Sequence, residues 1–146
     1  MTCEIMTLLF APYHGTESLN DFYRKLADLP KENPLATAGA QMLDLLPLVA
    51  EACSNVDLWG FTSHERLCLR SRNEYESPWL VIIDPIPGDG YDVRFRLPDH
   101  EAPWPEAMVW GHARSKEDAC AMVRVGITRS TPGCASPRSA PDTLKS

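Results

Sequence analysis

The stretch from Trp79 to Leu97 shows the clearest pattern of apolar and polar positions in the chain. Apolar and charged residues alternate through residues 91–97, which is the period of a strand with one buried and one solvated face. Residues 79–83 are apolar at every position, as in a strand that is covered on both faces. Two prolines and two glycines within residues 85–90 supply the backbone angles that a chain reversal needs. The stretch therefore predicts a β-hairpin at the centre of the fold.

Helical patterns flank this hairpin on both sides. Apolar residues at helical spacing predict a helix over Ser18–Leu29, which Pro30 ends because its ring cannot continue the hydrogen-bond ladder. A second helix is predicted over Pro34–Ser54, with either a kink or a break into two abutting helices at Pro47. A third helix, capped by Ser115, follows the last predicted strand. These helices are the natural cover for one face of a sheet.

Further strand-like segments surround the central hairpin. Residues 57–62 and 66–72 predict a first hairpin, and residues 107–113 predict a last strand. Residues 3–11 are short and apolar, and we interpret them as either a strand or the approach to a later ordered region. Residues 98–105 hold three prolines and a tryptophan, which predicts a rigid loop. The order of elements predicts an α+β fold. An antiparallel sheet of about five strands, a meander of hairpins, is covered on one face by two N-terminal helices and one C-terminal helix.

Length and composition narrow the class of protein. With 146 residues, 44% of them hydrophobic, the chain predicts a single domain over residues 1–130 and a disordered, Pro/Ser-rich tail over residues 131–146. The net charge of -6 argues against wholesale binding to nucleic acid or to an anionic membrane. The five cysteines are scattered without a CxxC pair and no basic secretory leader is evident, which favours reduced thiols in the cytoplasm. No run approaches the roughly 20 apolar residues that would span a bilayer.

Arginines are concentrated in the predicted strands although the whole protein is acidic. The alternation places Arg94 and Arg96 on the face opposite the core, and places Arg66, Arg70 and Arg72 on the corresponding face of the neighbouring strands. Guanidinium groups pair bidentately with carboxylates and phosphates and stack on flat rings. Ordinary solvation, with nearby acids neutralising the arginines, is the competing interpretation. Trp104, between two prolines, either anchors an interface or folds back to plug the end of the sheet. The residues that we predict to bind a partner are Arg70, Arg72, Arg94, Arg96, Trp104, Trp110, His112 and Arg114.

Spacings that would indicate catalysis or metal binding are weak. His64 and Cys68 lie four residues apart with no third orienting group, so a buried structural cysteine beside a surface histidine is favoured over a catalytic pair. A mixed metal site from His100, His112 and one carboxylate lacks the close spacing that chelation favours. The Gly88-Asp89-Gly90 sequence does not precede a helix, as a phosphate-binding loop would. It is better explained as the turn of the hairpin. We therefore predict no catalytic residue, no metal site and no cofactor.

The leading functional prediction is a small, soluble, intracellular protein-interaction module of the inhibitor, immunity or adaptor type. It would bind a macromolecular partner through the arginine-rich face of the sheet or through the Trp104 loop. One alternative is a small enzyme or ligand-binding protein with a pocket between helix and sheet, using some of His64, Cys68, Asp84, His100 and His112. The other is nucleic-acid binding on the arginine-rich face, which the net charge makes less favoured than a protein partner.

Overall fold

A computed structural model of the chain describes residues 8–10, 18–53, 58–70 and 79–130. A 3-10 turn, Asp99–Glu101, lies in the loop before the last strand. Within the described ranges, no helix combines the length and apolar character needed to cross a bilayer. The elements, in chain order, are β1 (Leu8–Phe10), α1 (Leu19–Ala27), α2 (Pro34–Ala52), β2 (Leu58–Ser63), β3 (Arg66–Arg70), β4 (Trp79–Pro85), β5 (Tyr91–Arg96), β6 (Met108–Ala113) and α3 (Lys116–Ser130).

The strands form one sheet in the order β1-β2-β3-β4-β5-β6. Strands β2 to β6 are an antiparallel meander, and β1 adds to its edge in parallel with β2. The α+β prediction, with a meander of about five antiparallel strands and helices packed on it, is confirmed. The strand predicted within residues 3–11 appears at Leu8–Phe10, and the remainder of that segment lies outside the described residues. Residues 131–146 also lie outside them, so the predicted tail and domain limits stay predictions.

Glycines set the turn of the central hairpin. Gly88 and Gly90 both have positive φ, at 76° and 74°, a conformation that costs glycine nothing because it has no Cβ. One side chain of the α2 helix, Gln41, forms two hydrogen bonds with this turn. Gln41 Nε2 donates to the carbonyl oxygen of Gly90 at 2.7 Å, and the N–H of Gly88 donates to Gln41 Oε1 at 2.8 Å. The predicted hairpin is therefore held by a helix that precedes it by almost fifty residues.

Polar caps and prolines define the helix ends. Ser18 Oγ accepts from the N–H of Asp21, and Asn33 Oδ1 accepts from the N–H of Leu35, both at 3.0 Å. Each bond satisfies a donor that the first turn of a helix leaves free. Pro47 lies inside α2, which runs uninterrupted from Pro34 to Ala52. The predicted alternative of two abutting helices is therefore wrong, because apolar residues on both sides of Pro47 are buried and packing outweighs the one hydrogen bond that a proline removes.

The helices pack against one face of the sheet, where the main core lies. The α3 helix lies against β4, β5 and β6, α2 contacts β4 and α3, and α1 packs on α2. At the crossing of the two N-terminal helices, a Cβ added to Gly39 would lie 2.6 Å from the backbone N of Ala27. The buried Tyr23 of α1 donates its hydroxyl proton to the carbonyl oxygen of Glu65, in the β2–β3 turn, at 3.1 Å. The largest fully buried side chains of this core include Tyr23, Met42, Leu45, Leu58, Leu67, Leu69, Ile83, Val49, Val81 and Val123.

Candidate functional site

The second face of the sheet carries the charged side chains. Because side chains alternate along each strand, the residues between the core positions of β5 project away from the helices. The registers place Arg94 between Ile82 of β4 and Trp110 of β6. On the neighbouring strands, Arg70 pairs with Trp59. We call this surface the arginine face and define it by Arg66, Arg70, Arg94, Arg96, Trp110 and His112.

Two guanidinium groups of the arginine face lie over aromatic rings. Arg94 Cζ is 5.1 Å from the ring centroid of Trp110, and Arg70 Cζ is 4.7 Å from that of Phe61. Such cation–π contacts contribute about 0.5–1 kcal/mol at exposed sites. The two pairs differ in exposure, since Trp110 is 61% exposed and Phe61 only 3%. The Arg94–Trp110 pair is therefore accessible to a partner, whereas the Arg70–Phe61 contact serves mainly to pack the face.

A small apolar cluster lies in the middle of the arginine face. It consists of the buried Phe61, Cys68 and Ile82, with Trp59 packed against them. None of its members comes from a helix, so it is distinct from the main core. Burial raises the pKa of the Cys68 thiol, and the nearby Arg70, Arg66 and Arg94 oppose that shift only in part. This cluster lies beneath the arginines, and burial within it favours the protonated form of the thiol.

Acidic residues occupy one end of the arginine face. Arg66 Nε lies 3.4 Å from Asp84 Oδ2. His112 Nδ1 lies 2.7 Å from Asp92 Oδ1, and its Nε2 lies 3.6 Å from Asp89 Oδ1. The hydrogen bond with Asp92 and the charge of Asp89 raise the pKa of His112. Burial raises the pKa of Asp84, which Arg66 opposes. The face is thus polarised, with acids beside His112 and arginines toward Arg96.

The structure brings most of the predicted binding residues together. Arg70, Arg94, Arg96, Trp110 and His112 share the arginine face, as the alternation predicts, and their role in binding stays a prediction. Arg114 is exposed just beyond the end of β6. Trp104 is 66% exposed, so it does not plug the end of the sheet, and its role in an interface stays a prediction. Arg72 lies outside the described residues.

The sequence analysis named Trp110 but missed the exposed apolar edge around it. Met108, Val109 and Trp110 are 44%, 40% and 61% exposed on β6, and Val125 of α3 is 50% exposed beside them. An open cleft of about 200 Å³ lies between β6 and α3. Three consecutive apolar residues in the final strand were the available signal, but their exposure depends on β6 being the last strand of the sheet. The cleft is lined by Val93, Phe95, Val109, Trp110, Gly111, Met122 and Val125.

The alternative chemistries find little geometric support. His64 lies in the β2–β3 turn with φ of 58°, and a nucleophilic Cys68 would need a lowered thiol pKa rather than a raised one. His100 lies beside Glu101, 3.5 Å away, in the exposed 3-10 turn. Among the residues that the structure describes, no three His, Cys, Asp or Glu side chains are grouped so that they could hold a metal ion.

Comparison with known proteins gives no relative from which a function could be transferred. No protein-family model matches the chain, and neither the curated proteins nor the solved structures contain a significant match. The arginine face and the β6 edge are therefore the features from which a function can be inferred.

Proposed function

We propose that the protein is an intracellular protein-interaction module, of the inhibitor, immunity or adaptor type, that binds an acidic protein surface through the arginine face. The observation that carries the proposal is the Arg94–Trp110 pair, in which an accessible indole ring lies under a guanidinium group. Tryptophan and arginine are the residue types that most often dominate the energy of a protein interface. Their stacking holds both side chains in place before a partner arrives, which reduces the entropy that binding costs.

The charge pattern of the face supports an acidic partner. Arg94 and Arg96 lie on the same side of β5, and their planar guanidinium groups can each receive a carboxylate bidentately. Arg66 already has Asp84 as a counter-charge, so it adds less. Asp89 and Asp92, at the opposite end beside His112, would repel a uniformly acidic partner and so fix the direction in which it lies. The exposed Trp104 supplies a second aromatic contact on the loop that leads into β6.

Two further observations support this class over its rivals. The cleft between β6 and α3 contains none of the five polar residues proposed for a small-molecule site, so an enzyme or a ligand-binding pocket there has less support. Among the described residues, Cys68 and Cys120 are free thiols, which fits a protein that works in a reducing compartment such as the cytoplasm.

The test compares two variants with equal changes of charge. In the double variant Arg94→Glu/Arg96→Glu, both arginines of β5 are reversed, while Arg70 is kept because it packs over Phe61. The control, Arg24→Glu/Lys31→Glu, makes the same change on α1 and on the loop that follows it. Each is confirmed to be folded by circular dichroism and used to capture partners from a lysate of the native cells. Binding to each captured protein is then measured with purified components.

If the proposal is correct, a captured partner will bind wild type and the Arg24→Glu/Lys31→Glu control with equal affinity. The β5 variant should bind it more than tenfold more weakly, because reversing a charge that is buried by an interface costs 2–5 kcal/mol or more. Equal binding by both variants would contradict it. The nucleic-acid alternative is tested separately with a single-stranded RNA at about 50 and 200 mM salt, where a steep loss of affinity is expected for phosphate contacts.

A further inference from the structure

The outer edge of β6 lacks the features that normally keep a sheet edge from pairing. β6 is the last strand in the sheet order, and among the described residues no strand pairs with its outer side. Natural edge strands are usually protected by lysine, proline or a bulge. β6 contains neither residue type, and its register with β5 continues without interruption from Ala113 to Met108. Its exposed residues are the apolar Met108, Val109 and Trp110, together with His112.

One hydrogen bond shows which residues of β6 have outward-facing backbone groups. The N–H of Leu97 donates to the carbonyl oxygen of Ala107 at 3.0 Å. These two residues continue the β5–β6 register, so they form a hydrogen-bonded pair, and such pairs alternate along an antiparallel ladder. Residues 109, 111 and 113 therefore bond toward β5. Residues 108, 110 and 112 direct their N–H and C=O groups away from the sheet, where another strand can receive them.

The charge and shape of the β6 edge are complementary to those of the same edge in a second copy of this chain. In a two-fold antiparallel pairing centred on Trp110, Arg114 lies beside the partner's Glu106, which precedes the strand in a turn with φ of 66°. Both residues are exposed just beyond the ends of the strand. The same register sets Val109 opposite the partner's Gly111, whose missing side chain leaves that space to the partner's Met122. A shift of two residues in either direction would leave Arg114 opposite the partner's Trp104 or the partner's Met108, with its charge unmatched.

The side of the edge that faces the helices is also self-complementary. Met122 of α3 covers Gly111, since a Cβ added there would lie 2.5 Å from the Met122 methyl carbon. Val125 is half exposed on the same helix. Pairing of the two β6 strands would bring these apolar side chains of both α3 helices together over the cleft. The cleft would then be closed by the apolar surface of the second copy.

We propose that the protein forms a two-fold symmetric dimer by antiparallel pairing of β6 with the partner's β6, centred on Trp110. The two sheets become one continuous sheet, and the outward backbone groups at positions 108, 110 and 112 are satisfied. Trp110 lies next to the partner's Trp110, with Arg94 stacked on its other side. Because the pairing uses the edge, it does not depend on the arginine face having a ligand.

The test measures mass against concentration. Sedimentation equilibrium from about 1 μM to 1 mM covers the affinities that a contact limited to one edge produces. Wild type is expected to approach twice the mass of one chain as concentration rises. Val109→Lys places a charge on the edge and should shift the midpoint at least tenfold toward higher concentration. Arg24→Glu, a charge reversal on α1 far from the edge, should leave the midpoint unchanged.

Charge reversal tests the register itself and does not disturb the apolar residues. Arg114→Glu would oppose the partner's Glu106 and should weaken the dimer severalfold. The double variant Glu106→Arg/Arg114→Glu restores an opposite pair, so it should recover the dimer. Circular dichroism and thermal melts verify that each variant is folded. A wild type that stays monomeric to 1 mM would overturn the proposal and leave the edge for a strand of another protein. A dimer indifferent to Val109→Lys, or a double variant that fails to recover, would overturn it equally.

Discussion

The crossing of α1 and α2 gives the sharpest prediction about stability, because it sets two known effects against each other. Gly39 lies in the middle of α2, where replacing glycine by alanine ordinarily stabilises a helix by about 1 kcal/mol. At this position an added Cβ would lie 2.6 Å from the N of Ala27, 2.7 Å from the Cβ of Leu26 and 2.7 Å from the carbonyl oxygen of Tyr23. Unstrained contacts between nonbonded carbon atoms are about 3.5–4.0 Å.

The magnitude follows from which atoms are too close. Two of the three are backbone atoms of α1, so no rotamer change relieves the overlap and the helix itself must move. Forcing extra volume into a packed site costs about 1–3 kcal/mol, occasionally more. Taking about 3 kcal/mol and subtracting the gain of about 1 kcal/mol in helix propensity, Gly39→Ala should lower the free energy of unfolding by about 2 kcal/mol. In a domain of this size that corresponds to a fall in Tm of about 4–8 °C.

Urea unfolding followed by circular dichroism measures this change, with Ala40→Gly as the control. Ala40 is the next residue of the same helix and is exposed, so that variant should lose only the propensity of about 1 kcal/mol. The two results together separate packing from propensity. A Gly39→Ala protein that is as stable as wild type, or more stable, would refute the close approach of the two helices.

Three further outcomes test the turn, the histidine and the thiol. Gln41→Ala removes both side-chain bonds to the β4–β5 turn and should cost about 2 kcal/mol in urea unfolding, at about 1 kcal/mol for each bond; an unchanged midpoint would contradict it. The pKa of His112 is raised by Asp92 and Asp89, so its stabilising effect is fully present below its unfolded pKa of about 6.5 and is lost as pH rises through the folded value. The stability difference between wild type and His112→Gln should therefore be larger at about pH 5.5 than at about pH 8.5, and a difference that grows with pH would reverse the argument. Burial raises the pKa of the Cys68 thiol, so iodoacetamide should label it more slowly in folded protein than in urea, as peptide mass mapping can report.

Features that depend on a few neighbouring residues were predicted correctly from the sequence. The alternation through β5 gave the correct division between core and arginine face, and the two glycines of the β4–β5 turn adopt the positive φ values that their positions require. Ser115 caps α3 as predicted, accepting from the N–H of Asp118 at 3.0 Å. Each of these features is determined within a few residues, so the sequence pattern was sufficient.

Features that depend on distant partners were beyond the local pattern. The exposure of Met108 and Val109 depends on which strand ends the sheet, and β1 pairs in parallel with a strand about fifty residues later. Pro47 was expected to break or bend α2, and only the packing around it explains why the helix runs on. The candidate site was therefore predicted in its charged part and at Trp110, and missed at Met108 and Val109, because charge patterning is visible along one strand and edge position is not.

The hydrogen bonds from Tyr23 to the β2–β3 turn and from Gln41 to the β4–β5 turn also affect how the chain folds during its synthesis. Tyr23 and Gln41 reach partners that lie 42 and 49 residues later in the chain. At about 5–20 residues per second, a ribosome needs roughly 2–10 s to add the 49 residues between Gln41 and the glycine that it holds. For most of that interval β4, the strand that α2 contacts, has not been completed. The nascent N-terminal half should therefore be a substrate for chaperones until the β4–β5 turn has emerged.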